Sequence, residues 1–374
     1  MRPRGPVPCC TRRQLLRGAG AGLASVALGA HGNVRAQGEH DNENAADTGR
    51  RAGPPQARPD PPGGSHAVRG ERGADDRAAE CPRRPITLRV PWPPGGSTDI
   101  SLRVLADAAG QQLGQTVIIE NKGGAGGTLA MPLLTQAAPD GYTIAQIPQP
   151  VLRAPWVQKV LWDPIRDVTP IIQISGYTFG VVVPADSPLQ RFEDLFTWAR
   201  ENPDRLTVGT NGVGTTPHVV MQDLMQRRGL TWVHVPYKGT AEQMVAVASG
   251  QLMVGVNSTG FAPFVDSGKL RLLVTFADQR SKRWPKVPTL RELGYGIVAM
   301  SPYGLGGPRG LAPVVVDKLH NAFRMAMHSP AHLAEISKYD QELLYLGPAE
   351  YGQAMREAYA EEKRIVERLR LGST

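Results

Sequence analysis

Long apolar runs and cysteine pairs are the features that this 374-residue sequence lacks. No run reaches the roughly 18 to 20 apolar residues that a membrane-spanning helix needs, so the composition is not that of a membrane protein. Cys9 and Cys10 fall in a predicted export segment, which leaves only Cys81 for the mature chain. An internal disulfide is thereby excluded, and no Cys/His cluster has the spacing of a zinc site. We expect no metal and no cofactor.

A basic stripe interleaved with aromatic residues is also missing, although the formal net charge is +8. The excess arginines are concentrated near the N-terminus, and the other basic residues are scattered. Because nucleic-acid binding needs a clustered basic face, we expect no nucleic-acid partner. Nucleotide binding is disfavoured as well, since no Gly-x-x-x-x-Gly-Lys-Ser/Thr loop is present and the glycine cluster at 123–127 lacks the G-x-G-x-x-G order.

The first 36 residues have the order of a secretory signal. Residues 11–17 (TRRQLLR) contain paired arginines, residues 18–30 form a short apolar run, and residues 34–36 (VRA) provide a small-x-small cleavage site. Paired arginines in this position are typical of the twin-arginine route. A basic tail followed by an amphipathic helix is the weaker alternative, because the run has no helical apolar stripe. The sequence therefore predicts export to the periplasm.

Residues 37–85 contain a single large aliphatic residue, Val68, among Gly, Pro, Arg, Asp, Glu, Ala and Asn. Such a composition cannot bury enough apolar surface to offset the loss of chain entropy. We expect this segment to be a disordered tether or leader, and we expect folded structure to begin at Ile86.

Strand and helix patterns alternate from Ile86 onward. A first run of strand, helix, strand, helix and strand implies parallel strands with right-handed crossovers. A second run predicts a second α/β lobe, so we divide the chain into lobe 1 at 86–185, lobe 2 at 186–300 and a helical second part of lobe 1 at 301–374. The strands are predicted at 86–90, 116–120, 142–147, 171–174, 179–183, 206–209, 231–236, 252–256 and 270–276, and the helices at 98–112, 128–137, 192–202, 217–228, 241–249, around 316–327 and at 349–371.

Three loops that precede helices are rich in glycine and hydroxyl groups: residues 95–99 (GGSTD), 123–128 (GGAGGT) and 211–216 (NGVGTT). In open α/β sheets, ligands bind where strand ends lead into helix N-termini, whose backbone N–H groups and dipoles favour an anion. For each loop alone, helix capping by the hydroxyls is an equally good explanation. Three such loops over two lobes favour a shared anion site.

Residues suited to catalysis are few, and no G-x-S-x-G elbow is present. His218 either contacts the ligand or makes a structural hydrogen bond, and His234 is interpreted as packed within a strand. Asp99 either contacts the ligand or complements a helix dipole. We do not expect an enzyme, and an enzyme using His218 and Asp99 on a bound acid is the rival interpretation.

Seven segments jointly resemble the Bug (TctC-like) family of solute receptors, in an order that holds from about Ile86 to the C-terminus. The segment at 234–239 is the most specific of them. The segments are residues 91–99 (PWPPGGSTD), 124–128 (GAGGT), 139–143 (PDGYT), 181–188 (VVVPADSP), 209–218 (GTNGVGTTPH), 234–239 (HVPYKG) and 287–294 (VPTLRELG).

This resemblance implies an α/β fold of the periplasmic-binding-protein type II-like class, with two α/β lobes and a ligand cleft between them. It implies a small carboxylate ligand, which is a di- or tricarboxylate, an amino acid or an aromatic acid. It also implies the membrane subunits of a tripartite tricarboxylate transporter as partners. A sensor that passes a signal to a membrane protein is the alternative. We expect a monomer.

In the family, the first loop and the loop ahead of His218 hold the carboxylate through backbone amides, hydroxyls and ordered water. Two departures concern specificity: Lys122 stands where proline is frequent, and Asn257 stands where aspartate is common. We expect selecting side chains at 147–153 and 175–180. The predicted ligand-binding residues are Gly96, Ser97, Thr98, Asp99, Gly126, Thr128, Gln149, Tyr177, Gly214, Thr215, Thr216, His218, Tyr237 and Asn257.

Overall fold

The computed structural model describes residues 81–372, so the predicted export signal and most of the 37–85 segment lie outside the described residues. The described residues form ten strands and ten α-helices. The strands are β1 (Ile86–Val90), β2 (Val117–Asn121), β3 (Thr143–Ile147), β4 (Val168–Pro184), β5 (Thr207–Thr210), β6 (Val233–Pro236), β7 (Val254–Ser258), β8 (Leu270–Thr275), β9 (Met300–Pro308) and β10 (Leu343–Leu346). The helices are α1 (Ser97–Leu113), α2 (Ala130–Thr135), α3 (Gln149–Val157), α4 (Asp194–Glu201), α5 (Thr216–Gln226), α6 (Thr240–Ala248), α7 (Ala262–Asp266), α8 (Pro313–Met327), α9 (Pro330–Ser337) and α10 (Pro348–Leu369).

The strands follow the order β2-β1-β3-β9-β4-β7-β5-β6, and β8 and β10 also pair with β4. β1 lies between β2 and β3 with parallel pairing, and β5 lies between β6 and β7 with parallel pairing. Helices connect the strands within each parallel set. The predicted α/β class is therefore confirmed.

The long strand β4 belongs to both halves of this arrangement. Its first part pairs antiparallel with β9, from Val168–Pro308 to Thr178–Met300. Its last part pairs antiparallel with β7 and β8, while β9 pairs on its other edge with β3. The chain leaves the first parallel set through β4 and returns to it through β9, so these two strands connect the halves.

The structure has one continuous β4 where the sequence predicted separate strands at 171–174 and 179–183. The Ser175-Gly176 pair resembles a strand break in the sequence. In the structure, however, Gly176 leaves room for the neighbouring strand β10, because a Cβ atom at this position would lie 2.7 Å from Cδ1 of Leu344.

β9 was not predicted, since its sequence MSPYGLGGP is rich in residues that strands usually exclude. A Cβ atom on Gly304 would overlap the carbonyl oxygen of Ile172, so glycine permits the close approach of β9 to β4.

Packed structure begins earlier than the expected Ile86. Cys81 is buried in the core, and the backbone N–H of Arg83 donates to the Tyr142 hydroxyl at 2.8 Å. The segment that precedes β1 is held against the turn at 139–142, so residues 81–85 are part of the folded body.

A buried ion pair joins α3 to α10. Both carboxylate oxygens of Glu362 accept from the Arg153 guanidinium, at 2.5 and 2.8 Å, and both side chains are 3% exposed. Gln149 donates to Glu362 at 2.7 Å, and the third nitrogen of Arg153 donates to the Gly214 carbonyl oxygen at 2.6 Å. Removal of one partner from such a pair leaves an uncompensated buried charge.

We expect Glu362→Gln to lower the free energy of unfolding by about 3 to 5 kcal/mol, because Arg153 keeps its charge inside the protein. Urea unfolding measures the change. Glu361→Gln is the matched control, since Glu361 is 56% exposed and pairs only with Arg364 at the surface, where a loss of at most about 1 kcal/mol is expected. Equal effects of the two substitutions would contradict the structural role of the buried pair.

Candidate functional site

The first turns of three helices meet around a cavity of about 180 Å³. α1, α5 and α6 contribute residues 96–98, 215–217 and 239–242, each following a strand of a parallel set. The first N–H groups of a helix lack partners within the helix, and its N-terminus carries a partial positive charge. The cavity is therefore suited to an anion.

The floor of this cavity comes from β4 and its neighbours. Tyr177 and Phe179 are two residues apart in β4, so their side chains lie on the same face of the sheet. Both line the cavity, as do their register partners, Ser301 in β9 and Ser258 in β7. The shared strand thus brings groups from both halves of the fold to one small space.

Two hydroxyl groups in the cavity wall have no hydrogen-bond partner within residues 81–372. Ser97 is 4% exposed and Thr216 is 6% exposed, and neither side-chain oxygen is paired. An unpaired buried hydroxyl costs free energy, so a bound acceptor would relieve both. The hydroxyls of Thr98 and Tyr177 are engaged, since Thr98 and Gln146 donate to the Tyr177 oxygen at 2.8 and 2.7 Å. Burial raises the pKa of Tyr177 well above its usual 10 and keeps it neutral.

The structure places the Asp99 carboxylate behind the first loop and outside the cavity lining. It accepts from the Gly95 N–H at 2.9 Å, from Arg103 at 2.9 Å and from Asn121 at 2.8 Å. Burial alone would raise the pKa of Asp99, but these hydrogen bonds outweigh it and lower the pKa below 3.8. Asp99 therefore fixes the shape of the loop through its charge.

His218 supports the third loop from behind. Its Nδ1 accepts from the Gly214 N–H at 3.2 Å, and its ring lies against His234 with centroids 4.3 Å apart. His234 Nε2 is 2.7 Å from the Thr210 hydroxyl oxygen. Burial lowers the pKa of both histidines to about 4, and for His218 the charges of His234 and Arg153 add to this effect. Both rings are therefore neutral at pH 7.

Asn257 and Gln149 also lie one layer behind the cavity. The Asn257 side-chain oxygen accepts from the Thr240 hydroxyl at 3.1 Å and from the Ser258 N–H at 2.7 Å. Gln149 is used by the buried ion pair described above. The neutral Asn257 side chain thus hydrogen-bonds two residues that line the cavity. An aspartate at this position would place its charge next to those residues and not in the cavity lining itself.

The remaining predicted residues lie around a second cavity of about 310 Å³. Gly126, Thr128, Gly214 and Tyr237 line it, and the Thr128 hydroxyl also donates to the Ala125 carbonyl oxygen at 2.9 Å, as a cap does. The first cavity therefore brings together only part of the predicted set, namely Gly96, Ser97, Thr98, Tyr177, Thr215 and Thr216.

Gly239 and Thr240 form a fourth glycine–hydroxyl junction between strand and helix, which the sequence-based prediction omitted. They line the first cavity together with Glu242 from the first turn of α6. The sequence does contain the pattern that identifies such a junction, because Gly239 and Thr240 lie between the predicted strand at 231–236 and the predicted helix at 241–249. Ser258 and Ser301 gave no such signal, since each depends on strand pairing.

The chemistry of the first cavity is that of neutral donors. Among its lining residues, Glu242 carries the only charged side chain. No group of three or more His, Cys, Asp and Glu side chains between residues 81 and 372 is placed to hold a metal ion. Within the same residues, no helix is long and apolar enough to cross a membrane.

Solved structures that share this architecture include a periplasmic binding protein and two proteins solved with small carboxylates. The periplasmic binding protein BugD is 26% identical with a TM-score of 0.75, over 78% of this chain and 100% of that chain. MatC of Rhodopseudomonas palustris, solved with malate, is 26% identical with a TM-score of 0.71, over 76% of this chain and 99% of that one. Another R. palustris protein, solved with adipate, is 25% identical with a TM-score of 0.73, over 77% and 98%. The fold and the cavity define a solute-binding receptor of the periplasmic kind, not an enzyme.

Residues 101–371 match the model of the tripartite tricarboxylate transporter family receptor, and the chain belongs to this family. A UPF0065 protein of Cupriavidus necator is 46% identical over 298 residues, which cover 80% of this chain and 91% of the relative. The resemblance noted in the sequence is thereby confirmed. Membership of a family of periplasmic receptors also supports an extracytoplasmic location.

We expect the protein to lose stability between pH 7.5 and pH 5.5. The folded-state pKa of His218 and His234 is about 4, below the ordinary 6.5, so the unfolded chain takes up protons first as the pH falls. The loss at pH 5.5 should be about 1 kcal/mol for each histidine. Urea unfolding at the two pH values measures it.

The double variant His218→Gln/His234→Gln should show a smaller difference between the two pH values. His328→Gln, at an exposed position, is the control and should behave as the wild type does. An unfolding free energy that is flat over this range in the wild type would refute the role of the two partly buried rings.

Proposed function

We propose that this protein binds the carboxylate group of a small organic acid in the first cavity and serves as the receptor of a tripartite tricarboxylate transporter. One observation carries the proposal: Ser97 and Thr216 hold two buried, unpaired hydroxyls at the N-termini of α1 and α5, in the wall of the same cavity. Two hydroxyl donors between helix N-termini match the two oxygens of a carboxylate.

The walls of the cavity support a ligand that is an organic acid with an apolar carbon skeleton. Apolar surface comes from Trp92, Phe179 and several prolines, while hydroxyl groups come from the helix starts and from the strands of the floor. No arginine, lysine or histidine lines this cavity, so hydrogen-bond geometry rather than net charge would determine which acid binds. The relatives solved with malate and adipate bind acids of the proposed class. Di- and tricarboxylates, amino acids and aromatic acids are the candidates.

The arrangement of the chain in two halves suggests how ligand binding would be communicated to a membrane partner. We propose two lobes, at 86–185 with 301–374 and at 186–300, which close on the ligand and present a joint surface to the membrane subunits of the transporter. Export by the twin-arginine route and a monomeric state complete the proposal. The paired arginines at residues 12 and 13 support the first of these.

A thermal-shift screen of the full chain against mono-, di- and tricarboxylates, amino acids and aromatic acids tests the ligand class. A ligand at a hundred times its dissociation constant adds about 2.7 kcal/mol to the unfolding free energy. The screen must start from protein that has been unfolded and refolded to remove co-purified ligand. If no acid raises the melting temperature, the carboxylate proposal is wrong.

For an acid that binds, Ser97→Ala and Thr216→Val should each weaken affinity by about tenfold or more, since each removes a hydrogen bond to a charged group worth roughly 1.5 to 3 kcal/mol. Isothermal titration calorimetry measures the change. Neither substitution should lower the stability of the ligand-free protein, because neither hydroxyl has a partner there.

Thr275→Val is the matched control. Its hydroxyl is also buried and unpaired within residues 81–372, but Thr275 lines neither cavity. Affinity should therefore be unchanged. A comparable loss in all three variants would show that the hydroxyls act on the fold and not on the ligand.

A further inference from the structure

The second cavity adjoins the first. Pro150 and Asn211 line both, so the two spaces meet at the start of α3 and at the third loop. The second cavity is also the larger, at about 310 Å³ against about 180 Å³. A ligand whose carboxylate lies between Ser97 and Thr216 would enter the second cavity if it extended past Pro150 and Asn211.

The two cavities differ in charge. Glu242 is the one charged residue that lines the first, and its carboxylate disfavours a second anionic group there. The second is lined by Arg153 and Lys238 and by no acidic residue. Arg153 is neutralised by Glu362 and bound to the Gly214 carbonyl oxygen. Lys238 is exposed, and within the described chain its ammonium has neither a hydrogen bond nor an ion pair.

The other residues that line the second cavity are small, apolar or neutral. Its wall at 124–126 consists of glycine and alanine, which leaves room close to the backbone, and Ala154 and Val157 of α3 provide an apolar side. Gln158 lines the same space with a neutral amide. A methylene chain passing Asn211 would therefore meet a cavity with apolar surface and one free cation.

We infer that the second cavity holds the distal carboxylate of an elongated dicarboxylate, with Lys238 as its charged contact. This inference rests on the proposed function, since the first carboxylate must occupy the first cavity. It assigns to Lys238 the discrimination between a dicarboxylate and a monocarboxylate of equal length.

Matched ligands of one length test the inference directly. Calorimetry at low ionic strength compares adipate, hexanoate and 6-aminohexanoate, and the pairs succinate with butyrate and suberate with octanoate extend the comparison to other lengths. The wild type should bind adipate more tightly than hexanoate, and 6-aminohexanoate most weakly. Added salt should reduce these differences, because the contact is electrostatic.

Two near-isosteric substitutions change the charge of the second cavity. Lys238→Gln removes the cation and Gln158→Glu adds an anion, and each should weaken adipate binding about fivefold to tenfold while leaving hexanoate binding unchanged. Lys286→Gln is the control, since Lys286 is exposed and lines neither cavity. Thermal unfolding of each ligand-free variant confirms that the fold is intact.

The outcomes separate the two proposals. If adipate and hexanoate bind equally well, or if Lys238→Gln weakens both by the same factor, the inference is wrong and the proposed function stands. Preference for 6-aminohexanoate would overturn it in the same way and would point to Glu242 as the distal contact. If none of these acids binds and the screen above finds no other carboxylate, the proposed function fails and the inference fails with it.

Discussion

The antiparallel pairing of β4 with β9 is the constraint on which the arrangement of this protein depends. It is the connection through which the chain passes between its two parallel sets and back. Tyr177 and its partner Ser301 lie within it and face the cavity. A strand that ended at Gly176 would leave the helix starts of the two halves without a common floor. The cavity therefore exists because two glycine-containing strands approach each other closely.

Much of this fold was predictable, because most of its elements carry their own local pattern. The β1, β3 and β8 segments alternate or run apolar between turn residues, and α1, α5 and α10 begin and end within two residues of the predicted bounds. β9 was not predictable in this way, since Gly304 and Pro302 are poor strand residues taken alone. They fit β9 because their backbones lie close to β4: Gly304 lies against Ile172, and Pro302 lies against Gly176. These partners are more than 100 residues away in the sequence. Contacts between residues so far apart produce no recognisable pattern in the local sequence.

The residues of the candidate site also fall into those with a local sequence pattern and those that depend on distant partners. Gly96, Ser97, Thr215 and Thr216 were predictable, because glycine–hydroxyl loops recur between strand and helix in both halves of the chain and together favour a shared anion site. Side chains that work through partners were harder to place. The carboxylate of Asp99 could equally have faced a ligand, and only the hydrogen bonds from Gly95, Arg103 and Asn121 reveal that it shapes the loop. The opposite charges of Glu242 and Lys238 acquire meaning only when the two cavities are known.

The third loop is held at one residue, Gly214, from two directions. The Gly214 N–H donates to the ring of His218, while the Gly214 carbonyl oxygen accepts from Arg153, which belongs to the other half of the fold. Gly214 has a positive φ of 75°, a conformation that glycine adopts without strain. A backbone clamped in this way loses its conformational freedom during folding. The third loop would then have little left to order when a ligand binds, so stiffening of this loop would contribute little to the affinity.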